Sequence, residues 1–308
     1  MKIAILGAGA MGCLFGAHLS KAHEVTLFDV SEKQIDAINQ NGVQIEANGE
    51  TIVYRDLRAA KNGTAIGAVD LVILFVKGMY TLDALDANRA LLGGDTLVLT
   101  MQNGAGNDRD IMKFVDAARV VVGTTTNNAV NLGAGCVRHT GFGSSTIGSN
   151  SHAMDKVKKI ADAFRACGLS VTESDDIQRI IWSKLFVNLS INTFTALMEA
   201  PIGYMYENKY AWDFARRIIY EAIEVAEADG TYFDRREVMN HVRDVCIAAK
   251  DGYSSMYQDR RHHVKTEIDR INGAIVEQAK LYGVPTPYNA MMVDLIHAVE
   301  GTYAFVKD

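Results

Sequence analysis

Residues 7–12 read Gly-Ala-Gly-Ala-Met-Gly and follow directly on the apolar stretch Ile3 to Leu6. A G-x-G-x-x-G placed there constrains the chain strongly. The first glycine makes a tight turn, the second lets backbone N–H groups approach a pyrophosphate at a helix N-terminus, and the third lets that helix pack closely on its strand. Alone the pattern is weak, because turn-rich chains contain many glycine clusters. Its context makes it specific: the helix runs to about Lys21, a second strand covers Val25 to Phe28, and Asp29 ends it about 20 residues on. A dinucleotide would therefore meet Gly7, Ala8, Gly9, Ala10, Met11, Gly12 and Asp29. A carboxylate at the end of the second strand accepts from the adenosine ribose hydroxyls and repels a 2′-phosphate, which favours NAD(H) over NADP(H). Lys33 follows closely, but a first-turn lysine is ordinarily solvated.

The rest of the first half continues this periodicity. Short apolar runs alternate with helical stretches through Leu71 to Val76 and Thr96 to Thr100, and 19 of the 26 glycines lie in residues 1–150. Such alternation predicts an α/β, doubly wound, largely parallel sheet of the Rossmann type. Residues 119–149 are rich in Val, Thr and Gly without helical spacing, and are expected to extend that sheet with antiparallel edge strands. From Asp175 onward the apolar period becomes 3.6. Helices are expected over Asp176 to Met198, Tyr210 to Asp229, Arg235 to Lys250, Thr266 to Tyr282 and Tyr288 to Val299, with Gly230, Gly252 and Gly283 as C′ caps. The organisation expected is a dinucleotide-binding domain over 1–175 and an all-helical domain over 176–308.

Composition narrows the partners. With 31 basic and 37 acidic side chains and a net charge of −6, the chain lacks the basic surface that phosphate neutralisation needs, so no nucleic-acid partner is expected. The longest unbroken apolar run, Leu71 to Val76, falls far short of the ~18–20 residues a bilayer span takes, so no membrane partner and a cytoplasmic location are expected. Cys13, Cys136, Cys167 and Cys246 are scattered, and His262 and His263 are adjacent rather than one helical turn apart, so no metal site is expected.

Three polar groupings carry the chemistry. Lys184, Asn188 and Asn192 fall at i, i+4 and i+8, one polar stripe on an otherwise apolar helix. A lone helical lysine is usually solvated, but asparagine is a poor helix former and buried amides need partners, which a ligand could supply. Ser254 to Arg260 and Lys265 to Gly273 form a second grouping, part of which reads as a helix-entry capping pattern at Thr266 to Asp269. Gln102-Asn103-Gly104 follows the strand ending at Thr100. Ligands in open α/β sheets lie beyond the carboxyl ends of strands, so Asn103 is placed to meet one, although Asn-Gly is also an ordinary turn.

Taken with Val76-Lys77 and the segment Val137 to Gly141, these motifs resemble the ketopantoate reductase (2-dehydropantoate 2-reductase) family over nearly the whole chain. The resemblance implies a Rossmann domain followed by a helical domain like that of 6-phosphogluconate dehydrogenase. It implies hydride transfer from a reduced nicotinamide to 2-dehydropantoate, giving pantoate in pantothenate and coenzyme A biosynthesis. It implies Lys184 as general acid and Glu267 as its partner and a ligand of the substrate hydroxyl. Asn103, Asn188, Asn192 and Ser255 are implied as substrate contacts, with Lys77 and Asn103 near the cofactor. Many members use NADP(H) and carry basic or uncharged residues where this chain has Asp29, so residue chemistry and family habit differ on the cofactor. Two alternatives are a reductase of another 2-oxo acid on the same fold and a non-catalytic NAD(H)-binding regulator. The retained Lys184 and Glu267 argue against the regulator. The sequence leaves oligomeric state open, a homodimer being one option.

Overall fold

The structure, a computed structural model, describes residues Met1 to Phe305. The chain separates into two compact units, Met1–Gln102 with Asn107–Ile177, and Asn103–Gly106 with Gln178 onward.

The first unit contains strands β1 (Lys2–Leu6), β2 (Glu24–Phe28), β3 (Val43–Ala47), β4 (Glu50–Tyr54), β5 (Leu57–Ala60), β6 (Leu71–Leu74), β7 (Leu97–Thr100), β8 (Val120–Thr125), β9 (Asn128–Gly133), β10 (Cys136–Gly141), β11 (Ser145–Gly148) and β12 (Val171–Ser174). Its helices are α1 (Ala10–Leu19), α2 (Glu32–Asn41), α3 (Thr81–Ala87), α4 (Asn107–Ile111) and α5 (Met154–Ala166). Eight strands form one sheet in the order β12-β11-β8-β7-β6-β1-β2-β5. The run from β5 to β8 is parallel throughout, and its order reverses at β1, the doubly wound arrangement expected. β6 and β7 are buried at every position, which is why they read as unbroken apolar runs rather than alternating ones.

Residues 119–149 only partly extend this sheet. β8 and β11 do, pairing antiparallel with Ser145 opposite Thr125. β9 and β10 leave it and join β3 and β4 in a separate four-stranded sheet. The physical reason lies in α1. Seven of its ten residues are buried, because β3, β9 and β10 cover the side that the large sheet leaves open. Val137 and Ile45 point into that second layer, at 1% and 4% exposure.

The second unit holds α6 (Ile177–Val187), α7 (Thr193–Met198), α8 (Ile202–Glu207), α9 (Lys209–Ala228), α10 (Arg235–Ala248), α11 (Ser255–Arg261), α12 (Asn272–Tyr282) and α13 (Pro287–Gly301) around a core that includes Trp182, Phe186, Leu189, Ile218, Ile223 and Ile275. α8 and α11 are short and were hidden in the sequence by their lack of a full apolar period. Gly230 and Gly283 take positive φ after their helices, but Gly252 does not and is no cap. The helical run Ile177–Met198 is long and apolar enough to cross a membrane by length and composition, yet 56% of its apolar window is buried inside the protein, as befits a core helix.

Candidate functional site

In the first unit the three glycines of the loop are constrained unequally. Gly7 has φ +104 and its N–H donates to the Phe28 carbonyl at 2.8 Å, so it requires glycine by conformation. A Cβ on Gly12 would sit 1.8 Å from the Gly7 carbonyl oxygen, so that position requires glycine by contact. Gly9 needs it for neither reason: its φ is −71, and a Cβ there would meet nothing within 4 Å. The fold leaves Gly9 exposed above the first turn of α1, whose N-cap makes no side-chain hydrogen bond. Open space beside uncapped N–H groups fits a pyrophosphate.

Asp29 is tied to this loop directly. Its Oδ2 accepts from the Ala8 N–H at 3.0 Å and its Oδ1 from the Ser31 N–H at 2.9 Å. A carboxylate offers about four acceptor sites, so both oxygens keep capacity for further donors. Lys33 is exposed. Lys77 stands just past β6, next to Val76, whose N–H donates to the Leu6 carbonyl beside the glycine turn. Ala10 and Met11 are partly open on the first turn of α1. Gln102 ties the loops after β6 and β7 together: its Nε2 donates to the Val76 carbonyl at 2.8 Å and to Thr81 Oγ1 at 2.9 Å.

The second unit gathers the remaining candidates. Lys184 lies on α6, partly buried, and burial pushes its ammonium down to about 8, against an opposing pull from the Glu267 carboxylate. The stripe beyond it is not plain α-helix. Asn188–Asn192 forms a π-turn before α7 begins. Hydroxyl back-bonds explain the widening: Ser190 donates to Phe186, Thr193 to Leu189 and Thr195 to Ile191, each onto the carbonyl four residues earlier. Asn188 is 9% exposed, and neither its amide nor that of Asn192 hydrogen-bonds to another described residue.

Other segments converge on this π-turn. Ser254 caps α11 by accepting from the Tyr257 N–H, and its Oγ lies 2.8 Å from Thr195 Oγ1. Ser255, the predicted contact, is the exposed first residue of α11. Asn272 Nδ2 donates to the Leu189 carbonyl inside the turn and to Asn289 Oδ1, both at 3.0 Å. The Asn103 segment belongs to this unit too. Ala105 N–H donates to the Arg270 carbonyl at 3.1 Å, an approach that Gly104 permits because a Cβ there would lie 2.1 Å from the same oxygen.

Glu267 is not on a helix, contrary to the expected continuous Thr266 to Tyr282. It precedes a 3₁₀ turn, Ile268–Arg270, and Ile271 (ψ −88) breaks the path before α12. The capping pattern forms only in part: Thr266 Oγ1 accepts from the Ile268 N–H at 3.3 Å, while Asp269 turns to His297 instead of back to the chain. Sequence reasoning missed Asn272 and His297 as supports of this cluster. The apolar context of Ile271-Asn272 held a signal for the first, while nothing local marked the second.

Comparison with known proteins bears on the family and the fold. Residues 3–152 match Ketopantoate reductase PanE/ApbA, and residues 176–300 match Ketopantoate reductase PanE/ApbA C terminal. The chain is 34% identical over 304 residues to the 2-dehydropantoate 2-reductase of Pyrococcus abyssi, covering 97% of this chain and 98% of that one. To its namesake from Streptococcus pyogenes serotype M6 it is 32% identical, with the same coverage. Among solved structures, the ternary structure of D-mandelate dehydrogenase with NADH and anilino(oxo)acetate superposes with a TM-score of 0.92 at 34% identity, over 99% of this chain and 100% of that one. The PanE/ApbA family ketopantoate reductase from Ralstonia eutropha JMP134 gives 0.89 at 29%, again over 99% and 100%. With both halves matched and relatives aligned end to end, this chain belongs to the ketopantoate reductase family of oxidoreductases.

Proposed function

We propose that this protein reduces a 2-oxo acid with NADH, and that its substrate is 2-dehydropantoate, giving pantoate. The observation that carries the reading is Lys184, a partly buried ammonium brought down to about 8 beside the Glu267 carboxylate, followed along the same helical run by two amides that hydrogen-bond to no other described residue. A nicotinamide bound at the Gly7 to Gly12 loop would supply the hydride. The residues of this chain do the rest. Negative charge grows on the C2 oxygen as hydride arrives, and Lys184 Nζ both stabilises it and donates the proton that completes the hydroxyl. With a pKa of about 8 the lysine gives up that proton readily at neutral pH. Asn188 and Asn192 orient the oxo acid through their amides, and Asn103 and Ser255 offer neutral donors to its carboxylate. An ionised Glu267 only accepts, which suits it to a substrate hydroxyl and to holding the charge on Lys184. Asp29 would accept from the ribose hydroxyls of that cofactor, and Lys77 would lie near it. The reading carries with it a cytoplasmic enzyme without membrane or nucleic-acid partners.

The likeness to the D-mandelate dehydrogenase structure favours a second reading, an aryl-substituted 2-oxo acid in the same site. Steady-state kcat/KM decides between them, measured for 2-dehydropantoate, its 4-deoxy analogue and phenylglyoxylate with NADH and with NADPH. Preference for 2-dehydropantoate over its deoxy analogue supports the first reading. Preference for phenylglyoxylate replaces it with the second, and no turnover of any oxo acid removes both.

A further inference from the structure

The turn that presents Glu267 has no helix of its own to hold it, yet it is clamped on both sides from α13. Before Glu267, Thr266 is 1% exposed, and both its N–H and its hydroxyl donate to Glu300 Oε1, at 2.8 and 2.7 Å. After Glu267, Asp269 Oδ1 lies 2.8 Å from His297 Nε2, and His297 Nδ1 lies 3.0 Å from Glu300 Oε2. Thr266, Glu300, His297 and Asp269 thus close a ring of contacts around one residue. Both ring nitrogens face carboxylates. Only the imidazolium can donate on both sides, because a neutral ring would turn a lone pair toward one of the two acids.

We propose that His297 and Glu300 are positioning residues for Glu267, with the charged His297 ring bridging Asp269 and Glu300 and so fixing the turn that presents the substrate-hydroxyl ligand. The inference rests on the reading of Glu267 given above. Partial burial works against the charged ring, but the hydrogen bonds to Asp269 and Glu300 outweigh it and hold its pKa above the usual histidine range. The groups acting on the ring are Asp269 from the turn and Glu300 from its own helix. Beyond them, Tyr303 lies near Glu300, its ring 5.2 Å from that of His263, and Asp259 and Arg260 of α11 act on Tyr303. The clamp is therefore complete below the ordinary histidine pKa and is lost as pH rises through the raised value.

The test compares wild type with His297→Gln and Glu300→Gln from pH 5.5 to 9, so that any titration of Lys184 is common to all three. Two quantities are read: KM for 2-dehydropantoate, and hydrogen exchange at the Ile268, Arg270 and Ile271 amides, which are bonded to Thr266 and Glu267. At pH 6, His297→Gln should raise KM roughly three- to tenfold, with a smaller effect on kcat, and speed exchange at those amides by a similar factor. Both differences should vanish above the wild-type histidine pKa. Glu300→Gln should move both readouts in the same direction. Equality of His297→Gln and wild type at pH 6, or a difference that persists unchanged to pH 9, would overturn the proposal. If wild type reduces no 2-oxo acid, the functional reading falls while the exchange measurement still decides the clamp.

Discussion

Replacing Lys184 with methionine should abolish most turnover and, at neutral pH, make the protein more stable. The lysine loses its proton at about 8 in the folded chain against 10.5 for an ordinary lysine, with burial the main cause and Glu267 opposing it. At ~1.4 kcal/mol per tenfold, carrying that charge costs the folded state about 3 kcal/mol. The sign follows from proton binding. Between about 8 and 10.5 the unfolded chain holds a proton that the folded chain has released, so wild-type stability rises with pH across that window. Below it the folded lysine is charged and the whole cost is present. Above it both states are neutral and the cost is gone. Methionine keeps the apolar stem and removes the charge, while Glu267 loses a favourable neighbour, so a net gain of about 1–3 kcal/mol is expected at pH 7, shrinking toward zero near pH 10.5. Urea midpoints at pH 7 and at pH 10 measure it directly. Turnover should fall by at least ~10²-fold, the scale of a lost proton donor. A variant less stable than wild type at pH 7, or a stability difference that ignores pH, would refute the idea that burial drives this lysine.

The same ammonium sets the pH profile: kcat/KM for reduction should fall tenfold per pH unit above about 8, and a profile flat to pH 9.5 would count against Lys184 as the acid. Gly9→Ala should leave the urea midpoint within ~0.5 kcal/mol of wild type while raising KM for NADH roughly tenfold or more, whereas Gly12→Ala should cost the fold itself, as parallel denaturation and kinetic measurements would reveal. NADH should be preferred over NADPH by at least ~tenfold in kcat/KM. Asp29→Asn should narrow that ratio yet weaken both cofactors by ~1–3 kcal/mol, since an amide oxygen cannot easily serve the Ala8 and Ser31 N–H groups together. Equal use of both cofactors by the wild type would show that the carboxylate does not face the ribose. Glu267→Gln should lower efficiency about ten- to a hundredfold for 2-dehydropantoate but less for its deoxy analogue; equal losses would confine Glu267 to its role beside Lys184.

Local physics made the doubly wound sheet legible. β1, β2, β6 and β7 are short apolar runs at the spacing of parallel strands, and the glycine turn announces the first crossover. The small sheet was not legible, because β4 and β9 are mostly exposed and carry no alternation to distinguish them from loop. β9 is recruited through its contact with α1, which joins residues more than a hundred positions apart, and β4 through its pairing with β3. In hindsight α1 held the signal, being apolar on every side when a helix on one face of a sheet needs only a stripe.

The chemical end was harder to read, for a reason visible in Asn188 to Thr195. Helical periodicity placed Lys184, Asn188 and Asn192 on one line, but the hydroxyls of Ser190, Thr193 and Thr195 compete for the backbone carbonyls and open the helix into a π-turn, which swings Asn192 away from strict four-residue spacing. A periodic argument treats those three residues as neutral positions, whereas the structure makes them the cause of the local geometry. Support for the turn then comes from far along the chain, through Asn272 on the Leu189 carbonyl and Asn289 behind it. Asn289 is in turn held by Glu221, which also accepts from the Tyr288 and Asn289 N–H groups. Each of these is a buried polar group whose partner lies more than sixty residues away or on another helix, so composition and spacing carry no trace of the pairing. Lys184, Asn188 and Asn192 stand out in the sequence because their types are chemically rare on an apolar helix, while the groups that hold that stripe in place become legible only once burial shows which polar atoms must be satisfied.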